Sequence, residues 1–240
     1  MLIFLDLETT GLDKNDKICS VGLISLDEKN IDLRYDLVNE NKKITSKASS
    51  IHNITNEMIK DKVKFTDTQA YKFLNLHNNQ DTTLIVHDAN FSLNNLLASG
   101  IRWNGYVVDT MRVIKHLIPE CEIFSLQFLR YELKLYQTEK QESLACGMNP
   151  NIIAHNALDD ALVIKLLYKY LLDYATIDDM YELSFKNVLI QKLNFGKYAD
   201  RYIEDVAMND RRYLEWLLKN VTDLDEDLRY SIGYYLEGCV

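Results

Sequence analysis

Apolar residues at the start of the chain run over Leu2–Leu5 and meet Asp6 at once, a short buried-strand pattern that leads through polar residues to a turn at Gly11. Strand character returns over Ile18–Leu26 and Ile31–Val38, and the polar stretch Asp27-Glu28-Lys29-Asn30 between them predicts a hairpin connection. Three strands in succession predict a β-meander. The period then changes. Thr55 is the N-cap candidate of a helix start over Asn53–Met58, and Asp67–Leu76 has helical spacing through Ala70, Phe73 and Leu74. A short strand over Thr82–Val86 ends at His87-Asp88, a helix follows over Phe91–Leu97, and a strand over Tyr106–Val108 is closed by Asp109-Thr110 as a cap. Met111–Leu117 and Phe124–Leu133 read as helices parted by Pro119. After a polar loop around Asn149-Pro150, Asn156–Tyr170 predicts an amphipathic helix with Leu162, Ile164, Leu166 and Leu167 on or near its apolar side. A meander followed by alternating strands and helices predicts an α/β fold.

The pattern changes again near Tyr174–Asp179, which divides the chain into 1–175 and a small, mostly helical module at 176–240. That module reads as a helix, a turn at Phe195-Gly196-Lys197-Tyr198, and helices over Arg211–Lys219 and Glu226–Leu236.

Composition narrows the function classes. The 240 residues suit one domain plus a small appendage, with enough apolar content, 47%, for a core that needs no cross-links. A net charge of −9 gives no expectation of whole-molecule attraction to nucleic acid, yet it leaves open a local site whose carboxylates become cationic once loaded with metal. The four cysteines, Cys19, Cys121, Cys146 and Cys239, form no CxxC pair, and are expected to be reduced thiols of a cytoplasmic protein. The opening apolar run is too short for a signal peptide, and no segment approaches the ~20 apolar residues of a membrane span.

Three polar constellations carry candidate chemistry. In Asp6-Leu7-Glu8-Thr9-Thr10-Gly11, strand alternation points Asp6 and Glu8 to the same face. Such a pair either holds a hard cation such as Mg²⁺ or Mn²⁺ or is a strand end with two solvated acids. In His155-Asn156-Ala157-Leu158-Asp159-Asp160, an imidazole precedes a helix and a carboxylate sits in its first turns. His155 suits a general base near pH 7, although the segment by itself reads better as a helix cap with acids near the helix N-terminus. The corner Val86-His87-Asp88-Ala89-Asn90-Phe91-Ser92 reads by itself as a polar loop with a cap.

Taken in order, these segments resemble the DEDDh 3′→5′ exonuclease superfamily, which includes the proofreading epsilon subunits of bacterial DNA polymerase III. They are most similar to its exodeoxyribonuclease X branch. Asp6 to Leu12 looks like the first motif, Ser50-Ile51-His52-Asn53-Ile54-Thr55 like an I-H-x-I-T loop, and His155 to Ala161 like the third motif. Phe195–Tyr198 and Tyr213-Leu214-Glu215-Trp216-Leu217 look like the small C-terminal module of that branch.

The resemblance implies a ribonuclease H-like five-stranded mixed sheet with flanking helices, and release of mononucleotides from DNA 3′ ends in repair or proofreading. It implies two Mg²⁺ or Mn²⁺ ions held by Asp6, Glu8 and Asp160, with His155 as general base. Thr9 would contact the terminal sugar, His52 would lie near the terminal nucleotide, and Phe91 would pack against a base. The partner would be DNA, with single-stranded 3′ ends admitted most easily, and a polymerase or repair protein fits the same picture. The second motif departs from the family's H-N-x-x-F-D: Asp88 stands at the Asn and Ser92 at the metal-binding Asp. Either Asp88 supplies the missing carboxylate, or catalysis is weakened and the fold grips 3′ ends or a polymerase. An RNA-trimming exonuclease shares the pattern. The tail offers a non-enzymatic alternative. Tyr198, Tyr202, Tyr213, Trp216, Tyr230, Tyr234 and Tyr235, near Lys197, Arg201, Arg211 and Arg212, suit either base stacking or a helical core.

Overall fold

The computed structural model describes residues 1–28 and 30–238, so Cys239 and the Lys29 position of the first hairpin lie outside the described residues. Five strands form one mixed sheet: β1 (Leu2–Thr9), β2 (Ile18–Asp27), β3 (Asn30–Leu37), β4 (Thr83–Val86) and β5 (Tyr106–Asp109), in the spatial order β3-β2-β1-β4-β5. The first three pair antiparallel as a meander, and β4 and β5 add parallel beside β1. Helices α1 (Ser46–His52), α2 (Asn56–Ile59), α3 (Gln69–Leu76), α4 (Ala89–Ala98), α5 (Thr110–Leu117), α6 (Leu126–Glu132), α7 (Glu139–Ala145), α8 (Ala157–Leu171) and α9 (Ile177–Leu183) follow in chain order.

Strand β1 outlasts its apolar run by four residues, because the pairing with β2 continues through Glu8 and Thr9. A register shift between Glu8 and Thr9 then bends its end. The two faces of the sheet are covered differently. Ile3, Leu5 and Leu7 share one core cluster with Ala70, Leu74 and Leu96 of α3 and α4. The opposite face carries Phe4, which meets Tyr168 of α8 edge to face at 5.6 Å between ring centroids. By strand alternation Asp6 and Glu8 lie on this α8 side.

Helix α8 is enclosed nearly all round rather than amphipathic, with Leu162, Ile164, Lys165, Leu166 and Tyr168 all buried. It rides on the sheet and also receives α6 and α7, so polar positions such as Asp160 and Lys165 are covered as well. The close approach depends on Gly22 in the middle of β2, the residue paired with Asp6. A Cβ there would lie 2.1 Å from the carbonyl carbon of Ala157 and the nitrogen of Leu158. The first turn of α8 therefore rests on bare backbone, directly beside the strand that carries the two acids.

Helices α1 and α7 escape the sequence pattern, as does a later helix over Ile203–Asn209. Helix α1 falls in a stretch read as loop, since it is set by its cap: the Thr45 hydroxyl accepts from the Ala48 amide, and Asn53 closes it at φ 60°. Helix α7 has few apolar positions and is anchored by charge, with Glu142 bonded to Lys165 and Lys169 of α8.

The chain forms two compact units, Met1–Val113 with Ile123–Ser184, and Ile114–Glu122 with Phe185–Val240. Helix α9 belongs to the first, because Tyr181 stacks on Tyr106 of β5 at 4.6 Å and the Ser184 hydroxyl accepts from the Asp109 amide. The second unit holds α10 (Ile203–Asn209), α11 (Arg211–Asn220) and α12 (Glu226–Gly238) around Ile203, Leu214, Leu217, Leu228 and Ile232. Its aromatic residues divide: Tyr198, Tyr213 and Tyr235 pack on this core, while Tyr202, Trp216, Tyr230 and Tyr234 are exposed. Cys19 and Cys146 are buried free thiols. Among the described residues no helix is long and apolar enough to cross a membrane.

Gly22→Ala should lower unfolding stability by about 1–3 kcal/mol or more, the usual cost of an overpacked core, since the added carbon meets backbone that cannot rotate away. Urea denaturation of the purified chain measures it, and an unchanged midpoint would mean that α8 does not rest on β2 as described.

Candidate active site

Asp6 and Glu8 enter the site from β1, and His155 and Asp160 enter from the start of α8. The Asn156 side chain caps this helix by accepting from the Leu158 and Asp159 amides. The loop before the cap is tied back onto the first turn at two points. Asp159 accepts from the Ile153 amide and Asp160 accepts from the His155 amide, each at 2.9 Å. His155 itself sits at φ 60°, a left-handed conformation uncommon for a residue with a Cβ, so its position is enforced by its surroundings.

Donor atoms of Glu8, His155 and Asp160 all lie within 4.8 Å of one another, close enough to share one cation. Asp6 joins them electrostatically. Burial, then Asp160, then Glu8 hold its carboxyl well above the usual carboxylate range. Burial and the neighbouring Asp160 push Glu8 up to about 8. Burial raises Asp160 to about 7 despite hydrogen bonds from the His155 amide and Gln127 and the nearby charge of Arg130. Three acids with few cations among them are costly to ionise together, and a divalent cation relieves both the burial and the repulsion. Carboxylate oxygens such as these suit a hard cation, Mg²⁺ or Mn²⁺.

Beside Glu8 opens a cavity of about 350 Å³, lined among others by Thr9, Leu12, Lys47, His52 and Phe91. Thr9, His52 and Phe91 thus share one wall system with Glu8. His52 is buried and braced: its Nδ1 accepts from the Ile54 amide at 3.0 Å, which leaves Nε2 to donate to the Thr9 carbonyl at 3.2 Å. The Thr9 hydroxyl donates to the Gly11 carbonyl at 2.6 Å. Burial and then the Glu8 charge raise the Cys19 thiol to about 12, which removes it as a nucleophile.

Asp88 and Ser92 lie at the start of α4. The Asp88 carboxylate caps that helix by accepting from the Phe91 amide at 3.0 Å, with its own backbone at φ 77°. Ser92 is buried within the first turns. Among the described residues, the shared donor cluster contains neither. Asp109 holds this corner, since its carboxylate accepts from the amides of Asp88, Ala89, Met111 and Arg112 and so anchors the starts of both α4 and α5. Sequence reading sees Asp109 as a cap of the following helix only. It also misses Gln127, Arg130 and Glu139, which stand behind Asp160 without any motif. The lone glycine inside β2 was a usable signal of close backbone approach.

A family model described as Exonuclease matches residues 3–168, and one described as Exodeoxyribonuclease X-like C-terminal matches residues 193–222. Exodeoxyribonuclease 10 of Escherichia coli K12 is 28% identical over 241 residues, covering 99% of this chain and 100% of its own length. The DNA polymerase III subunit epsilon of Buchnera aphidicola subsp. Schizaphis graminum is 25% identical and covers 93% of this chain and 92% of its own. Among solved structures, Exonuclease X in complex with 5′ overhanging duplex DNA superposes with a TM-score of 0.57 at 23% identity, over 77% of this chain and 99% of that one. A structure of 3′-end specific recognition of a histone mRNA stem-loop by a 3′-exonuclease gives a TM-score of 0.52 at 13% identity. These two likenesses are of fold.

The raised carboxyls fix a sign for stability. In the unfolded chain these acids ionise in the ordinary range, near 4.5 for a glutamate, while in the fold Asp160 and Glu8 hold protons to about 7 and about 8. The folded state binds more protons across that interval, so its stability is full at low pH and falls as pH rises through 8. Metal-free protein should melt progressively lower between pH 5 and 8.5. Glu8→Gln should melt several degrees above the parent at pH 8.5 and close to it at pH 5, at about 2–4 °C for each kcal/mol of repulsion removed. Calorimetry in EDTA reads both; a Glu8→Gln protein no more stable at pH 8.5 would contradict the buried charge.

Proposed function

The chain belongs to the exonuclease family, and from that premise we propose that it is a divalent-metal-dependent 3′→5′ exodeoxyribonuclease that releases mononucleotides from DNA 3′ ends in repair or proofreading. The observation that carries this reading is the convergence of three acids, the half-buried Asp6 and Glu8 and the buried Asp160, with His155 beside a cavity of nucleotide scale. Asp6, Glu8 and Asp160 would hold two Mg²⁺ or Mn²⁺ ions, and the donor set fits them. Bound there, such cations supply Lewis acidity that stabilises charge building on the phosphate oxygens and eases deprotonation of water.

The chain's own groups do the rest. His155 takes the proton of the attacking water as the water oxygen closes on phosphorus; the bond from phosphorus to the 3′ oxygen of the preceding nucleotide breaks, and that oxygen takes a proton from solvent water as it leaves as a hydroxyl. The left-handed backbone of His155 and the hydrogen bond from its amide to Asp160 support this role. Phe91 offers a face for the terminal base, and the Thr9 hydroxyl has lone pairs free for the sugar. His52, locked between Ile54 and Thr9, shapes that wall. A single-stranded end enters at lower cost than a paired one, because no stacking or pairing has to be broken. A polymerase or repair partner fits the same role.

A second reading, weakened catalysis with retained 3′-end binding, is favoured by the second motif: Ser92 is neutral and buried, and Asp88 is engaged as a cap. A hydroxyl is a poor ligand for a hard cation, so the parent should need millimolar metal. Ser92→Asp should lower the Mn²⁺ concentration for half-maximal cleavage. Asp88→Asn, which still caps a helix well, should leave it unchanged; a marked rise would make Asp88 a ligand.

The direct test is digestion of 5′-labelled single-stranded DNA and RNA with Mg²⁺ or Mn²⁺. Stepwise loss of mononucleotides from the DNA 3′ end is expected, abolished by EDTA and by Asp6→Ala, and slowed about 10²–10⁴-fold by His155→Ala. Faster trimming of RNA would replace the deoxyribonuclease reading, and cleavage that persisted in Asp6→Ala would overturn the site.

A further inference from the structure

Behind Asp160 runs a buried polar ladder that no motif contains. Gln127 of α6 donates from Nε2 to Asp160 Oδ1 at 2.6 Å, while the other oxygen, Oδ2, accepts from the His155 amide at 2.9 Å. One turn along the same face of α6, Arg130 donates from Nη1 to Gln127 Oε1 at 3.1 Å. Arg130 is held in turn by Glu139 of α7 through a two-point pair, Nη2 to Oε2 at 2.6 Å and Nε to Oε1. Arg130 and Glu139 are only 7% and 6% exposed.

From this we infer that Gln127 is a positioning residue for Asp160, and that Arg130 and Glu139 fix its orientation; the inference rests on the reading of Asp160 as a metal ligand. The reason is donor polarity. A glutamine amide can present either end to a neighbour, and its oxygen facing Asp160 would set two acceptors against each other. A guanidinium has donors only, so Arg130 takes the amide oxygen and leaves the nitrogen for Asp160. Arg130 cannot swing away, because breaking a buried ion pair strands a charge. The carboxylate plane of Asp160 is thus set before any cation arrives, and through Oδ2 the His155 loop is set with it. Outer hydrogen bonds of this kind govern metal affinity by 10–100-fold.

The test uses the full chain and two readouts: Mn²⁺ affinity by electron paramagnetic resonance, and hydrogen exchange of the His155 amide in EDTA by NMR. Gln127→Leu should weaken Mn²⁺ binding about 10–100-fold and speed His155 exchange at least about 10-fold. Arg130→Met with Glu139→Leu, which removes both charges together and avoids an unpaired one, should weaken Mn²⁺ similarly. Adding Gln127→Leu to that pair should cost little more, since all three act through one contact. Gln127→Leu with parental Mn²⁺ affinity and parental exchange would overturn the inference, as would fully additive losses. Should the parent itself fail to bind Mn²⁺, the metal reading falls, and the exchange measurement still decides whether Gln127 positions Asp160.

Discussion

Mutual repulsion among Asp6, Glu8 and Asp160 is the constraint around which the first unit is arranged. Carboxyls from two distant segments of the chain are held together; burial raises all three, and the Asp160 charge adds to the rise at Asp6 and Glu8. Left to itself such a cluster would push α8 off the sheet. The fold resists with apolar contact on the same interface, as in the edge-to-face packing of Phe4 and Tyr168, and with a glycine that lets helix backbone rest on strand backbone. Stored repulsion of this kind is what gives a site affinity for a divalent cation, and it explains why the acids sit on rigid elements rather than loops.

The supports are graded by distance. Nearest are the helix cap at Asn156 and the hydrogen bond from the His155 amide to Asp160, which join His155 and Asp160 into one short loop. Next comes the ladder through Gln127 to Arg130 and Glu139, which brings α6 and α7 into the geometry of a residue that neither helix carries. On the other side of the sheet Asp109 gathers four amides from two helix starts and holds the α4 corner, with Phe91 on it, beside the cavity. Helix α7 looks marginal in sequence because its anchorage is electrostatic rather than apolar.

The second motif shows how a family pattern and a local structure can part. By position Ser92 stands where a carboxylate is expected and Asp88 where it is not. In the fold the Asp88 side chain is turned to the α4 amides, and Asp109 receives its backbone amide. The site therefore gathers its acids from the first and third motifs.

Much of this was legible in the chain. Strand alternation alone put Asp6 and Glu8 on one side, and apolar period gave the meander, the two later strands and the long helix, because these follow from local geometry of two or 3.6 residues per repeat. The order of motifs gave the family and with it the mixed sheet. What the sequence could not supply was anything that depends on residues meeting across the fold: that α8 is enclosed nearly all round, that Gly22 is the seat of its first turn, that Asp109 serves two helices, and that Gln127 faces Asp160. A side chain's neighbours along the chain fix its secondary structure, but its charge state and hydrogen-bond partners are set by groups tens of residues away, and only the packed chain brings those into contact.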